Sequence, residues 1–160
     1  MFSVFDSSSR SRRPSSSIVT FSTCFAQPFL PQPPAVYARM LGEKLDAHAA
    51  DVWLVNTGWT GGPFGEGQRM PIQATRTMLR AALSGKLDHA ELRTDEVFGF
   101  EVPVRVPGVD PKLLDPRSTW RDSELYDRKA RELAALFVDN FEQRFGDIGE
   151  SIRAAGPNHT

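Results

Sequence analysis

At 160 residues, with 40% hydrophobic and 24% charged residues, the chain has room for one ordinary domain with a real core and a globular composition. A formal net charge of -1 gives no overall field to draw in nucleic acid or an anionic membrane, and no apolar run approaches the ~20 residues that span a bilayer. The single cysteine, Cys24, excludes an internal disulfide and makes a reducing, cytoplasmic setting the default.

Residues 1–19 differ from everything after them: rich in serine, with Arg10, Arg12 and Arg13 and one acid, Asp6. So few apolar residues predict a disordered leader. Its composition fits an organelle transit peptide, but it lacks an amphipathic period, which favours a misassigned start or a cloning scar. From Thr20 the chain reads as folded. Phe21, Phe25, Phe29 and Leu30 form an aromatic strand or loop broken by Pro28, Pro31, Pro33 and Pro34. Tyr37, Met40, Leu41 and Leu45 then fall at helical spacing and predict a helix over 35–49.

The most informative stretch is VWLVNTGWTGGPFGEGQRMPIQATRTMLR. Its apolar run predicts a buried strand over 52–56. A loop with Gly58, Gly61, Gly62, Gly65 and Gly67 follows, and then a helix over 71–84 begins at Pro71, where a missing N–H costs nothing. Strand, glycine loop and helix can bring backbone amides close to phosphates. The spacing of Gly62 and Gly67 imitates a P-loop, yet Gln68 and Arg69 stand where that motif needs Lys and then Ser or Thr. The helix is expected to bury Ile72, Leu79, Ala82 and Leu83, with Thr75 on or beside that face, and to stop at Gly85.

Further on, Phe98, Phe100, Val102, Val104 and Val106 alternate with polar or small residues and predict a strand ended by Pro107-Gly108. A proline-containing connector covers 113–120. A long helix over 123–145 should carry Tyr126, Ala130, Leu133, Phe137 and Phe141 on one face, capped by Asp122 or Ser123. Residues 154–160 should fray. The architecture is α/β but thin: two or three strands make no complete sheet, which points to a piece of a larger domain.

Chemistry-bearing residues are sparse. His48, His89 and His159 lie far apart with no Cys, Asp or Glu at ligand spacing, so no metal site is expected. Cys24 reads as a structural cysteine, with a smaller chance of a reactive thiol. Asp115 reads as a cap or turn residue. Arg69, just before a helix N-terminus, could set a planar cation against a base or phosphate, and Thr75 offers a hydroxyl from an apolar face. Taken alone, such a glycine loop is more often a tight turn and such an arginine a surface charge.

The segment NTGWTGGPFGEGQRMPIQATR, with TFSTCFAQPFLP upstream and FEVPVRVPGVDPKLLDPRSTW and AAGP downstream, closely resembles the C-terminal part of ATP-dependent phosphoenolpyruvate carboxykinase. The likeness runs over about 20–157 with its blocks in family order, leaving 1–19 as an unlike leader and 158–160 as a tail. It implies a partial mixed-sheet, nucleotide-binding C-terminal domain. It also implies an enzyme, a carboxy-lyase of gluconeogenesis, that converts oxaloacetate and ATP to phosphoenolpyruvate, carbon dioxide and ADP with Mg2+ and Mn2+. By the resemblance Arg69, Met70 and Thr75 line the ATP pocket: Arg69 and the Met70 backbone at the nucleoside, and Thr75 near the base. Gln68 and Gln73 stand where the family usually has Lys, Pro33-Pro34 where it commonly has His-Pro, and Gln27 where it has a small residue. The family's P-loop lysine, metal ligands and oxaloacetate-binding arginines have no counterpart here. The expectation is therefore a fragment inactive alone, with no catalytic or metal-binding residue of its own and with ATP and oxaloacetate as the family's ligands. A non-catalytic nucleotide-binding or regulatory module is the alternative. Oligomeric state is left open.

Overall fold

The computed structural model describes residues 29–56, 58–62, 65–146 and 149–158. The expected leader, the Phe21–Phe25 aromatic segment, Cys24 and His159 lie outside them. The chain divides into two compact units, the first ending at Asp51 and the second starting at Val52.

In the first unit, α1 spans Pro34–His48, within a residue of the expected helix. Pro34 occupies its first turn, where no N–H is needed. Ala49 closes it in the left-handed region at φ 45°, with its N–H bonded to the Asp46 carbonyl. No α1 residue is buried, and Met40 and Leu41 are exposed.

The second unit corrects the expected strand over 52–56. That segment forms no strand and pairs with none among the described residues. The glycine loop that follows is a hairpin: β1 (Trp59–Thr60) runs antiparallel to β2 (Gln68–Arg69), with Trp59 opposite Arg69 and Thr60 opposite Gln68. The chain thus doubles back before it enters α2 (Ile72–Leu83), so the loop does not lead straight into the helix N-terminus as a phosphate cradle would.

The end of α2 follows the expectation. Gly85, at φ 72°, donates to the Ala82 carbonyl while Lys86 donates to that of Ala81, a pairing that satisfies two terminal carbonyls. The buried face departs from it. Ala74 and Ala81 are buried, with Met78 and the expected Ala82 partly so, whereas Ile72, Leu79 and Leu83 are exposed. Ala74, Met78 and Ala81 form a stripe at helical spacing, and the small side chains of the two alanines let the helix approach the core cluster of Leu87, Val106, Val109 and Leu114.

A strand unseen in the sequence, β3 (Leu92–Thr94), pairs antiparallel with β4 (Glu101–Pro103), which is far shorter than the expected strand. The Asp95 carboxylate folds the loop between them by accepting from the amides of Val97 (3.0 Å) and Phe98 (2.7 Å). Alternation survives at the far end, where Val102 and Val104 are half-buried and Val106 is buried. The connector is ordered into a 3-10 turn, Pro111–Leu114, and a short helix, α3 (Pro116–Thr119). Asp110 caps the first, and Asp115 stands before the second, its carbonyl accepting from the Ser118 amide.

The long helix α4 is Ser123–Phe145 as expected, capped by Asp122, whose side chain accepts from the Leu125 amide at 3.0 Å. Tyr126, Leu133, Phe137 and Phe141 are half-buried and Ala130 is buried, while Ala134, outside the expected face, is fully enclosed. Phe137 meets Phe98 edge-on at 6.3 Å, which joins the strand region to α4. The tail is not frayed throughout: α5 (Glu150–Ala154) forms, and Asn158 bonds the Val97 and Glu96 carbonyls at 2.8 and 3.2 Å. Among the described residues, no helix is long and apolar enough to cross a membrane.

Candidate functional site

The hairpin is set by glycine. A Cβ on Gly67 would lie 2.5 Å from the Gly62 carbonyl oxygen and 2.9 Å from that of Thr60, so only a bare Cα lets the two arms close. Gly61, at φ 78°, makes the turn out of β1. Thr119 at the end of α3 then fastens the hairpin: its hydroxyl accepts from the Gly61 amide at 3.1 Å, lies 3.3 Å from the Thr60 hydroxyl and donates to the Pro116 carbonyl at 2.7 Å.

This frame fixes Arg69. The register places it opposite Trp59, and its guanidinium carbon stands 5.4 Å from the centre of the Trp59 ring. At an exposed position that contact contributes about 0.5–1 kcal/mol and restricts where the cation points. Arg69 is exposed, and among the described residues no carboxylate pairs with it. Its charge is available to a ligand. Met70 follows, its amide bonded to the Gly58 carbonyl at 3.0 Å and its side chain packed against the core. Thr75 lies on the first turns of α2 beside buried Ala74; it is half-buried, and its hydroxyl has no partner among the described residues.

All three sequence-expected residues therefore lie on one short path from β2 into α2. A depression of about 260 Å³ lies on the other flank of the hairpin, between Gly61, Gly62 and Glu66 and Trp120, Arg121 and Asp122. A larger one of about 460 Å³, with Arg80 and Lys86, sits at the end of α2. Neither contains Arg69, Met70 or Thr75. Gln68 and Gln73 are exposed on either side of the path. Sequence reasoning missed Trp59 and Thr119; a hairpin reading of the glycine loop, pairing residues across it, would have found the first.

Nearby, Arg117 and Asp127 form a two-pronged ion pair at 2.8 and 3.0 Å. The hydrogen bond from Arg117 holds the Asp127 carboxyl below its ordinary pKa, and Asp127 raises that of Arg117. Burial pushes the Tyr126 phenol up, aided by the charge of Asp95. Among the described residues no three His, Cys, Asp or Glu side chains gather as a metal site, and His48 and His89 are exposed.

Comparison with known proteins bears on what this arrangement serves. The phosphoenolpyruvate carboxykinase family profile matches residues 9–112. A protein of Thermus thermophilus named phosphoenolpyruvate carboxykinase (ATP) is 56% identical over 138 residues, 86% of this chain and 26% of its own length. Proteins of the same name from Paracoccus denitrificans and Roseobacter denitrificans are 58% and 59% identical over 136 residues, again 85% of this chain and 26% of theirs. The chain thus spans about a quarter of the length of these relatives.

Proposed function

This chain belongs to the ATP-dependent phosphoenolpyruvate carboxykinase family, and from that premise we propose that it supplies the adenosine side of the ATP site. The whole enzyme would convert oxaloacetate and ATP to phosphoenolpyruvate, carbon dioxide and ADP, a gluconeogenic reaction of the cytoplasm. Residues 20–157 would be its C-terminal nucleotide-binding part.

The observation that carries this reading is Arg69: an exposed guanidinium, steadied on Trp59 at 5.4 Å and free of any carboxylate partner among the described residues. A planar cation of this kind suits the π-face of a base or the oxygens of a ribose or phosphate. The Met70 side chain is committed to the core, which leaves its backbone carbonyl to meet the nucleoside. Thr75, with an unclaimed hydroxyl one turn into α2, would bond near the base.

Mg2+ or Mn2+ would offset the charge on the phosphoryl group in flight. The metal, the transferred phosphate and oxaloacetate would be held by the remainder of the enzyme, since the family's P-loop lysine, metal ligands and oxaloacetate-binding arginines have no counterpart in this sequence. This chain alone should not turn over, because binding one side of ATP leaves the transition-state charge without stabilisation.

A chimera tests the reading: the Thermus carboxykinase with its matching segment replaced by this chain. Thr75→Val removes the hydroxyl and keeps the branched shape. Loss of one hydrogen bond of about 0.5–1.5 kcal/mol raises the KM for ATP about 2- to 13-fold. The KM for oxaloacetate and kcat should stay where they are, because contact near the base is equal in ground and transition states. Unchanged ATP dependence with lower thermal stability would make Thr75 a structural residue instead.

A further inference from the structure

The hydroxyl of Thr119 is fully occupied within the protein. It donates to the Pro116 carbonyl at 2.7 Å, accepts from the Gly61 amide at 3.1 Å and accepts from the Thr60 hydroxyl at 3.3 Å. One donor and two acceptor sites are all that a threonine hydroxyl has, so nothing is left for a ligand. Its proton goes to its own helix, and both lone pairs serve a hairpin that lies 58 and 59 residues away in sequence. The end of α3 is in turn held to α4 from both sides: Arg117 grips Asp127 at 2.8 and 3.0 Å, and Trp120 meets Tyr126 edge-on at 5.4 Å. Thr119 therefore ties β1 to a fixed body. That hold matters because the hairpin's own ladder is two residue pairs, Trp59 with Arg69 and Thr60 with Gln68, too short to stay closed unaided. Thr60 and Gly61, the two residues that Thr119 bonds, directly follow Trp59, the ring that steadies Arg69.

We propose that Thr119 is a positioning residue for ATP: without touching the nucleotide, it holds the hairpin closed and so keeps the Arg69 guanidinium where it meets the adenosine end. This role rests on the adenosine-site reading of Arg69. The closed hairpin is the binding-competent form, and the apparent dissociation constant rises as the reciprocal of its population. Thr119→Val keeps the branched shape but withdraws both bonds to the hairpin. With only a two-pair ladder to hold it, the closed population falls to roughly a third to a tenth, and ATP binds about 3- to 10-fold more weakly. Met70 is held separately by its packing on the core, so the effect reaches ATP through Arg69 and disappears where Arg69 is already gone.

Calorimetric titration of ATP into the Thermus chimera tests this as a double-mutant cycle. Thr119→Val should weaken ATP binding about 3- to 10-fold when Arg69 is present and less than about 1.5-fold in the Arg69→Ala background, with oxaloacetate binding unchanged. Thr119→Ser, which keeps the hydroxyl, should stay within about twofold of the parent. Thr60→Val removes one bond of the latch and leaves that from Thr119 to Pro116 in place, so it keeps α3 intact even if Thr119→Val fails to fold. It should cost about twofold in ATP affinity, again only with Arg69 present. Equal weakening with and without Arg69 would overturn the proposal and make Thr119 a general stabiliser of the fold. So would an unchanged ATP affinity in folded Thr119→Val, or in Thr60→Val, while Arg69→Ala weakens it. Arg69→Ala without effect on ATP would refute the adenosine-site reading itself, and this role with it.

Discussion

Replacing Gly67 by alanine should open the hairpin that holds Arg69. The added Cβ would sit 2.5 Å from the Gly62 oxygen and 2.9 Å from the Thr60 oxygen, both backbone atoms of the facing arm. Neither atom can turn away as a side chain would. Relief requires β1 and β2 to separate, and a ladder of two residue pairs has little to resist with. Forced repacking of this sort costs about 1–3 kcal/mol. Expressed as a local opening equilibrium, that is about a 5- to 150-fold loss of protection. The reporter is the Met70 amide, bonded to the Gly58 carbonyl at the base of the hairpin at 3.0 Å. Hydrogen exchange read by NMR should show it accelerating by that factor, while the Ser84 amide at the far end of α2, bonded to Arg80, keeps its rate. Gln68→Ala, one residue away and exposed, should change either amide less than about threefold. A Met70 amide indifferent to Gly67→Ala would refute the claim that glycine is required for the arms to close.

Asp122→Ala removes the cap of α4 and should cost about 0.5–2 kcal/mol, seen as faster exchange over the first turn, with Asp122→Asn largely restoring it. The Arg117–Asp127 pair should contribute only in its charged form. The Asp127 pKa lies below its ordinary 3.8, so the contribution is present above about that pH and lost as the pH falls through the folded value. Asp127→Asn should flatten this acid limb of the stability curve. Leu87, 5% exposed in the core cluster, should cost about 2–5 kcal/mol as Leu87→Ala, measured by denaturant titration of the chimera. The isolated chain, with Leu54 73% and Leu83 87% exposed and no large side chain fully enclosed among the described residues, should bind a hydrophobic dye and melt broadly. A sharp transition from a monomer would contradict that.

What the sequence made legible follows from the length of each signal. Helices α1, α2 and α4 repeat their pattern over several turns and carry their own stops, such as Pro34, Asp122 and Gly85, so their bounds could be read. Strands of two or three residues have no period to detect, which is why both hairpins were missed and the strand over 98–106 was drawn too long. The face of α2 was misjudged because hydrophobicity alone favours Ile72, Leu79 and Leu83. Close approach to the core instead selects alanine at 74 and 81. The apolar run at 52–55 predicts a strand from composition, but pairing is a property of two segments, and among the described residues no strand pairs with it. For the site, resemblance pointed to Arg69, Met70 and Thr75, while the stacking of Arg69 on Trp59 required the hairpin register.

The central claim, that this chain holds the adenosine end of ATP, is tested most directly by titrating ATP into the chimera by calorimetry, with and without Arg69→Ala. Loss of charge-assisted hydrogen bonds of about 1.5–3 kcal/mol predicts an affinity for ATP about 10- to 150-fold weaker, with the binding of oxaloacetate unchanged. ATP affinity unaltered by Arg69→Ala in a folded chimera would contradict the account.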